Sequence, residues 1–316
     1  MAPARVSPPP FTGLTDQQKQ DWSNNGYLLI PDALSPEQVT QLLSESQRLL
    51  NEFDLSNHPM TRFSTGEKSS HVGDDYFLTS GDQIRFFFEE EAFSATTGQL
   101  TKPKEKAINK IGHYLHELNP SFKSISINST NAAIARDLAF HDPRVLQSMV
   151  ICKQPEIGGA VPSHQDSVFL YTDPPSAVGF WYALEDCTVE NGCLSFAPGS
   201  HRRAAIRKRF VRREDGKGTE FVENDKRKWP EGLKGVQEGS SVEEEKEEEF
   251  VLGEVKAGTL VLIHGNILHK SERNLSQKGR MIYTFHVIEG EHEYDQRNWL
   301  QPPEEGFTAL NKATSR

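Results

Sequence analysis

The chain has 316 residues, a formal net charge of −10 and 35% hydrophobic residues, which is enough for one domain with a sizeable core. The acidic balance argues against nucleic acid as a partner, and without an apolar run of about 18 residues we expect no membrane span. The three cysteines, Cys152, Cys187 and Cys193, have no Cys-x-x-Cys spacing, which is typical of reduced thiols in an intracellular protein.

Two helices are predicted in the N-terminal third. Ser35, Pro36 and Gln38 form a helix start, with Ser at the cap and Gln three residues later. An apolar stripe follows at Val39, Leu42, Leu43, Leu49, Leu50 and Phe53. A second helix is expected over Lys104 to Leu118, with one face formed by Ile108, Ile111 and Leu115. Lys106 lies off that face, which is typical of a solvated lysine.

The segment from Val161 to Tyr171 contains His164 and Asp166, two metal-ligating residue types spaced i, i+2. On an extended strand this spacing turns both side chains to one side, so both can reach one metal ion. With a distal histidine they would complete the set of two imidazoles and one carboxylate that holds non-haem Fe(II). An isolated His-x-Asp is more often two polar residues on a solvated strand, so the downstream sequence decides.

A charged segment covers residues 202–249. Seven of the twelve residues from Arg202 to Arg213 are basic, and the stretch from Val242 to Phe250 is strongly acidic. Adjoining charge runs are typical of a long solvated loop. The functional alternative is a mobile lid over an active site, whose arginines attract an anionic substrate. In either case we expect little buried apolar surface and a strand starting near Phe250.

Two strands separated by a polar turn are predicted downstream. Val255 to His264 is a buried apolar strand, and Arg280 to Ile288 alternates like a second one. Its inner face would carry Arg280, Ile282, Thr284 and His286, and its other face Met281, Tyr283, Phe285 and Val287. A guanidinium one strand away from a metal ligand can bind a carboxylate through two hydrogen bonds. His264 and His269 both precede Arg280 and compete for the place of the distal metal ligand.

Eight stretches spread along the chain carry a family resemblance: Glu105–His113, Gln147–Pro155, Pro162–Thr172, Glu190–Leu194, Ala197–His201, Leu262–Gly265, His269–Ser271 and Asn298–Pro302. The chain resembles the phytanoyl-CoA dioxygenase family of Fe(II)/2-oxoglutarate-dependent oxygenases. This implies a mainly β (α+β) fold, a double-stranded β-helix or cupin-like jelly roll with flanking N-terminal and pre-barrel helices. We expect one domain over residues 1–316, with a helical preface (12–145), a β-helix core (146–290) carrying the charged insertion (202–249), and a C-terminal extension (291–316).

The resemblance also assigns roles to individual residues. The family pattern His-x-Ser-x-x-Asn-x-Ser followed by Arg fits, in order, His269, Ser271, Asn274, Ser276 and Arg280, which favours His269 over His264. The implied metal ligands are therefore His164, Asp166 and His269, and Arg280 with Ser271 would bind the distal carboxylate of 2-oxoglutarate. Lys106, Met149 and Trp181 are expected to bind this co-substrate too. For Met149 and Trp181, ordinary core packing is an equally good alternative.

The implied reaction is oxidation of a C–H bond of a small organic substrate, with release of succinate and CO₂ and with ascorbate as the reductant in vitro. Three protein ligands would leave room for the two chelating groups of 2-oxoglutarate and for O₂. Asp166 fills the position that halogenases of this class leave to a halide, which favours hydroxylation. The alternatives are a cupin-like binding protein and a Zn²⁺ hydrolase. A binding protein would not need an intact set of three metal ligands, and a Zn²⁺ hydrolase would need neither Arg280 aligned for a dicarboxylate nor Ser271 beside it.

Location and substrate are less constrained. The N-terminus lacks the apolar core of a signal peptide, and the C-terminal Ala-Thr-Ser-Arg does not match the peroxisomal Ser-Lys-Leu signal. We therefore expect a cytoplasmic monomer whose partners are O₂ and a small molecule. Substrate contacts usually come from variable loops, so the sequence names no substrate.

Overall fold

The computed structural model describes residues 13–63, 75–224 and 248–310. Seven α-helices lie within these ranges: α1 (Asp16–Asn25), α2 (Pro36–Glu52), α3 (Asp75–Leu78), α4 (Leu115–Leu118), α5 (Pro120–Ser126), α6 (Ser129–Asp137) and α7 (Asp166–Phe169). Short 3₁₀ turns cover Glu90–Ala92, Lys104–Lys106 and Ser200–Arg202. The helices surround a larger framework of strands.

Fourteen strands lie within the same ranges: β1 (Tyr27–Ile30), β2 (Ile84–Phe88), β3 (Ile108–His113), β4 (Pro143–Lys153), β5 (Val161–His164), β6 (Val178–Ala183), β7 (Leu194–Phe196), β8 (Lys208–Arg212), β9 (Thr219–Glu223), β10 (Val251–Gly253), β11 (Leu260–His264), β12 (His269–Ser271), β13 (Arg280–Glu289) and β14 (Thr308–Ala309). The major sheet has the order β1-β11-β6-β13-β4-β3-β2, with β14 paired to β4. The minor sheet has the order β10-β7-β12-β5, and β8 and β9 form a separate hairpin. The two antiparallel sheets confirm the predicted jelly roll.

The strand β13 confirms the predicted alternation of faces. Its outer residues Tyr283, Phe285 and Val287 are buried in a core shared with α2 and α5, where the rings of Phe122 and Tyr283 are 4.7 Å apart. Its inner residues Arg280, Thr284 and His286 line a cavity between the two sheets. One strand thus separates the structural core from the cavity, because its side chains alternate between the two faces.

The helix α2 begins as predicted. The Ser35 hydroxyl accepts a hydrogen bond from the backbone N–H of Gln38 (3.3 Å), and the Gln38 side chain accepts one from the backbone N–H of Ser35 (2.9 Å). This reciprocal capping satisfies two backbone donors that the first turn leaves unpaired. Leu42 and Leu50 from the predicted stripe are each 1% exposed.

The predicted helix over Lys104 to Leu118 is wrong. A 3₁₀ turn is followed by β3 and only then by the short helix α4. Ile108, Ile111 and Leu115 are all fully buried, but β3 pairs with β2 and β4 instead of coiling. Their spacing suits a helix by coincidence, and the partner strands on both sides decide the backbone conformation.

The predicted limits of the core are also too narrow. The segment 12–145 is not a purely helical preface, because β1, β2 and β3 belong to the major sheet. The C-terminal segment contributes β14, which pairs Thr308 with Val145 and Ala309 with Arg144. Chain on both sides of 146–290 therefore completes the sheet.

The charged insertion is more ordered than its composition predicts. The hairpin β8–β9 lies inside it, and Ile206, Phe210 and Val211 are at most 3% exposed. Two of its arginines hold the C-terminal segment: Arg209 pairs with Asp295 (2.8 Å) and Arg212 Nε donates to the Trp299 carbonyl (2.8 Å). The solvated loop is therefore wrong for 202–224, whereas the mobile lid stays a prediction. The rest of the predicted insertion, 225–247, lies outside the described residues. The strand expected near Phe250 is present as β10.

Two further sequence predictions can be compared with the structure. All three cysteines are buried and free, as expected for reduced thiols. Among the helices of the described ranges, none has the length and apolar character needed to cross a membrane. Both observations agree with the composition.

Candidate metal centre and active-site cavity

His164, Asp166 and His269 come together at the inner face of the minor sheet. His269 on β12 pairs directly with His164 at the end of β5, and their rings are 4.2 Å apart. Asp166 Oδ1 lies 3.5 Å from His164 Nε2 and 3.8 Å from His269 Nε2. One ligand atom from each residue lies within 4.8 Å of the others, which is close enough for all three to hold one ion.

The backbone explains how a strand motif delivers these side chains. The chain remains extended at Gln165 (φ −117°, ψ 129°), so His164 and Asp166 keep the predicted i, i+2 relation. The strand β5 ends at His164, and Asp166, which was expected on the same strand, is the first residue of α7. The Gln165 side chain donates to the carbonyl of Asn266 at 2.8 Å, which fixes this turn.

Backbone carbonyls orient both histidines. His164 Nδ1 lies 2.9 Å from the Pro162 carbonyl, and His269 Nδ1 lies 3.2 Å from the Ile267 carbonyl. A carbonyl only accepts, so each Nδ1 carries the proton and each Nε2 presents its lone pair. Metal-ligating histidines usually have such a partner on the second ring nitrogen.

The electrostatics of the cluster favour ligand protonation states. Burial lowers the pKa of His269 to about 4, with His164 adding to the effect, so its imidazole is neutral at pH 7. Burial alone would raise the pKa of Asp166, but His269, His286 and its hydrogen bonds hold that pKa well below the usual value. His286 Nε2 lies 3.3 Å from Asp166 Oδ2. A neutral imidazole and an ionised carboxylate are the forms that bind metal.

His264 lies elsewhere. Its ring packs 5.5 Å from the Trp22 ring and 5.0 Å from the His201 ring, and its Nδ1 accepts from the Asn266 N–H at 3.0 Å. Burial lowers the pKa of His264 to about 3. These contacts give His264 a role in packing, outside the metal-ligand cluster.

A cavity of about 210 Å³ extends from the cluster between the two sheets. Its cationic end is formed by Arg280, Lys153 and Ser271. Arg280 on β13 lies opposite Lys153 on β4 in the register of the two strands. Lys153 Nζ donates a hydrogen bond to Ser271 Oγ at 2.8 Å. Arg280 is 3% exposed and donates through Nη1 to the Gly192 carbonyl, while its Nε has no partner among the described residues. Burial and the neighbouring Arg280 lower the pKa of Lys153 to about 7.

Met149 and Trp181 also line the cavity, but Lys106 does not. Lys106 lies in the 3₁₀ turn before β3 and borders a separate surface depression. Lys110, two strand positions along β3 from Ile108, enters the cavity instead, with Nζ 3.8 Å from Met149 Sδ. Burial lowers the pKa of Lys110 to about 7. The lysine that the resemblance assigned to the co-substrate therefore lies outside the cavity, while Lys110, four residues later in the same stretch, lies inside it.

The aromatic end of the cavity is formed by Phe77, Phe169, Phe210 and Trp299. Phe77 stacks on Trp299 with ring centroids 4.5 Å apart, and Phe169 lies 5.4 Å from Phe210. The Phe169 ring is 6.0 Å from the His164 ring, so this end begins beside the metal-ligand cluster. These residues come from α3, α7, β8 and the C-terminal segment, and the sequence did not predict their meeting.

The side chains of the cluster and of the cationic end are chemically suited to bind non-haem iron and its co-substrate. Two imidazoles and one carboxylate on one side of an open cavity match the facial arrangement of Fe(II) oxygenases. The unpartnered Arg280 Nε and the nearby Lys153 and Ser271 form a site for a carboxylate. Such a jelly roll defines the class of Fe(II)/2-oxoglutarate-dependent oxygenases.

Comparison with known proteins gives the family. The phytanoyl-CoA dioxygenase (PhyH) family model matches residues 22–282. The phytanoyl-CoA dioxygenase domain-containing protein 1 of Danio rerio is 42% identical over 299 residues, covering 92% of this chain and 96% of the relative. The corresponding homolog of Caenorhabditis elegans is 39% identical over 289 residues, covering 90% and 95%. The chain belongs to the phytanoyl-CoA dioxygenase family.

One solved structure illustrates the shared fold. It is the non-heme alpha ketoglutarate dependent carbocyclase SnoK from nogalamycin biosynthesis, with a TM-score of 0.59 and 21% identity over 92% of this chain and 89% of that one. At this identity the likeness concerns the fold. With the family assignment and the donor set, the protein is a non-haem Fe(II)/2-oxoglutarate-dependent dioxygenase.

The sequence analysis gave no role to several polar residues of the cavity, among them Gln147, Lys153, Lys110 and His286. His286 was placed on the inner face of its strand but received no role. Gln147 and Lys153 share the inner face of β4 with Met149, since all three are separated by even numbers of residues. Applying the alternation rule to β4 would have found both.

Proposed function

We propose that this dioxygenase hydroxylates or otherwise oxidises a C–H bond of a small organic substrate, with His164, Asp166 and His269 holding the Fe(II). The observation that carries the proposal is one cavity with these three ligands beside a cationic end. Bound Fe(II) and 2-oxoglutarate would supply O₂ activation, with release of succinate and CO₂. Asp166 keeps the third ligand position occupied, which favours oxygenation over halogenation.

The cationic end is proposed to bind the distal carboxylate of 2-oxoglutarate. Arg280 lines the cavity, and its Nε has no hydrogen-bond partner among the described residues. Ser271 presents a hydroxyl two residues from His269. Lys153 adds a second cation, and we assign to Lys110 the part that the sequence gave to Lys106. Met149 and Trp181 close the wall between these charges and keep water from the co-substrate.

A succinate-release assay tests the function. The protein with Fe(II), ascorbate and 2-oxoglutarate should release succinate slowly alone and faster with its substrate. The screen covers acyl-CoAs, free fatty acids, nucleosides and terpenoid or polyketide metabolites. A protein that binds no 2-oxoglutarate and releases no succinate under these conditions would instead be a cupin-like binding protein or Zn²⁺ hydrolase.

The compartment and assembly are also proposed. Three free, buried thiols favour a reducing environment, so we propose that the enzyme acts in the cytoplasm. A monomer contains every residue that the proposed site requires. Sedimentation of the purified protein would test the monomer, and imaging of a tagged chain would test the compartment.

A further inference from the structure

The aromatic ring of Phe169 lies beside the metal-ligand cluster. Phe169 is the last residue of α7, the single helical turn whose first residue is Asp166. Residues three positions apart lie on the same face of a helix, and both side chains line the cavity. The Phe169 ring is 6.0 Å from the His164 ring and nearly perpendicular to it, at 77°. One aromatic side chain is therefore a close neighbour of two of the three ligands.

The other aromatic side chains around the cluster are placed differently. Among the described residues, Phe169 is the only cavity-lining phenylalanine or tryptophan whose ring packs on the ring of a metal ligand. Phe196 lies 6.5 Å from the His269 ring, but it is fully buried and does not line the cavity. Met149 and Trp181 lie in the wall of the co-substrate site, which bound 2-oxoglutarate would cover. The Phe169 ring is half-buried, so it can be reached from the cavity.

The chemistry of the cavity bears directly on this ring. The enzyme is expected to release succinate slowly without a substrate, and each such turnover reduces O₂ by four electrons. 2-Oxoglutarate supplies two of them, so the other two come from ascorbate or from the protein itself. A bound substrate normally protects an enzyme from such side reactions, because it fills the space beside the reacting atoms. Without it, the π electrons of Phe169 are easier to oxidise than the C–H bonds of the aliphatic side chains around the cavity.

We propose that Phe169 is a site of self-hydroxylation, at which the substrate-free enzyme inserts one oxygen atom of O₂ into its own ring. One ring C–H bond breaks, a C–O bond and an O–H bond form, and the ring loses two electrons. 2-Oxoglutarate loses CO₂ and two electrons and takes the second oxygen atom into succinate. O₂ gains these four electrons, so the reaction requires no further oxidant or reductant. This inference rests on the proposed function, which supplies the iron, the O₂ and the co-substrate.

The position of Phe169 links the modification to substrate binding. Phe169 belongs to the aromatic end, and its ring faces the ligands from that end. A substrate bound there lies between the ring and the ligands and competes with the ring for oxygen. Self-hydroxylation therefore falls as substrate turnover rises.

Mass spectrometry tests the modification. The substrate-free protein is incubated with Fe(II), ascorbate, 2-oxoglutarate and isotopically labelled O₂, and its peptides are sequenced by fragmentation. Phe169 should gain one labelled oxygen atom at least about tenfold more often than Phe221, because reaction within a site falls steeply with misplacement of the reacting groups. Glutarate, which lacks the oxo group, should abolish the gain when it replaces 2-oxoglutarate. Equal labelling with glutarate, or labelling of Met149 or Trp181 in place of Phe169, would overturn the proposal.

Two variants relate the labelling to the co-substrate. Arg280→Ala should lose the labelled oxygen on Phe169, because it weakens binding of 2-oxoglutarate with iron still bound. Lys106→Ala, outside the cavity, should retain it. Full labelling of the Arg280 variant would show that free Fe(II) and ascorbate oxidise the ring, and loss in both variants would show that the label does not depend on the site. Either result contradicts the proposal.

A second measurement requires no turnover. Protein labelled with 4-fluorophenylalanine is titrated with Co(II) under nitrogen, since the donor set that holds Fe(II) also binds Co(II). The paramagnetic ion should broaden the fluorine NMR signal of Phe169, assigned with Phe169→Leu, beyond detection. The signal of Phe122, assigned with Phe122→Leu, should stay sharp, because Phe122 packs on Tyr283 at the other face of β13. A sharp Phe169 signal at saturating Co(II) would place its ring too far from the metal for self-hydroxylation.

Metal binding and succinate release keep this proposal apart from the proposed function. A wild-type protein that binds no metal and releases no succinate would overturn both. Succinate release without labelled oxygen on Phe169 would overturn only the self-hydroxylation and leave the dioxygenase assignment intact.

Discussion

The two ends of the cavity are built in different ways. The cationic end comes from β4, β12 and β13, which are central strands of the two sheets. The aromatic end comes from α3, α7, the β8–β9 hairpin and the C-terminal segment, which surround those sheets. The co-substrate is the same throughout the enzyme class, so its site can be part of the framework. A substrate site built from added segments can change without disturbing the framework.

The largest effect should come from the cluster between the two ends. His269→Ala removes one of three ligands and should lower Fe(II) affinity by more than about 100-fold, because even partners of metal ligands commonly contribute 10–100-fold. Turnover should be lost with the metal. Equilibrium dialysis with Fe(II) under nitrogen measures the affinity.

His264→Ala is the matched control for that change. His264 packs on Trp22 and His201 outside the cavity, so this variant should lose stability but keep its iron. The ligand assignment is wrong if His264→Ala loses Fe(II) while His269→Ala retains it.

Removing the Arg280 side chain from the cationic end should weaken co-substrate binding without loss of iron. Truncating one partner of a buried charge-assisted pair costs about 2–5 kcal/mol, so Arg280→Ala should weaken 2-oxoglutarate binding at least tenfold with iron still bound. Calorimetric titration with 2-oxoglutarate measures this. Lys106→Ala should leave the affinity unchanged, since Lys106 lies outside the cavity. Unchanged affinity in the Arg280 variant would refute the assignment.

Co-substrate affinity should also depend on pH. The pKa of Lys153 is lowered to about 7, mainly by burial, so its ammonium is charged below pH 7 and neutral above it. The dianionic co-substrate prefers the charged form, and its affinity should fall by about threefold or more between pH 7 and pH 8.5. Lys153→Met should bind more weakly at pH 6.5 and show a flatter profile. An affinity that rises with pH would contradict this sign.

A change at the aromatic end should weaken substrate binding and leave co-substrate binding intact. Phe169→Leu removes a ring beside His164 and should weaken binding of the substrate found in the succinate-release screen about threefold, while 2-oxoglutarate affinity is retained. Phe221→Leu is the control, because Phe221 packs on Phe169 and Phe210 without lining the cavity. If the Phe169 variant loses substrate affinity and 2-oxoglutarate affinity to the same degree, the two ends of the cavity do not bind their ligands independently.

The same contrast explains what the sequence could predict. The spacing of His164 and Asp166, the alternation from Arg280 to His286 and the cap at Ser35 are local patterns, and each has the predicted conformation. Arg280 and Ser271 of the cationic end were predicted, and Lys153 could have been found in the same way because it lies on the regular strand β4. The isoleucines at helical spacing hid the strand β3, and Lys106, which the resemblance assigned to the co-substrate, lies outside the cavity.

No local sequence pattern predicts the aromatic end. Phe77, Phe169, Phe210 and Trp299 are far apart in the chain and meet only after the sheets have formed. The charge of the segment 202–213 also concealed its buried face, because Arg209 and Arg212 hold the C-terminal segment instead of facing solvent. Contacts between distant segments of this kind depend on the tertiary structure.

The smallest effect should come from a substitution outside both ends of the cavity. Ser35→Ala removes the acceptor for the Gln38 N–H at the start of α2 and should cost about 1 kcal/mol of unfolding free energy. For a chain of this size that lowers Tm by about 2 °C. Ser44→Ala, at an exposed interior position of the same helix, should leave stability unchanged or slightly higher, because alanine is the better helix former. Thermal unfolding measures both variants, and both should bind 2-oxoglutarate like the wild type. An altered affinity would mean that α2 supports the cavity, whereas equal losses of stability would show that the cap itself contributes little.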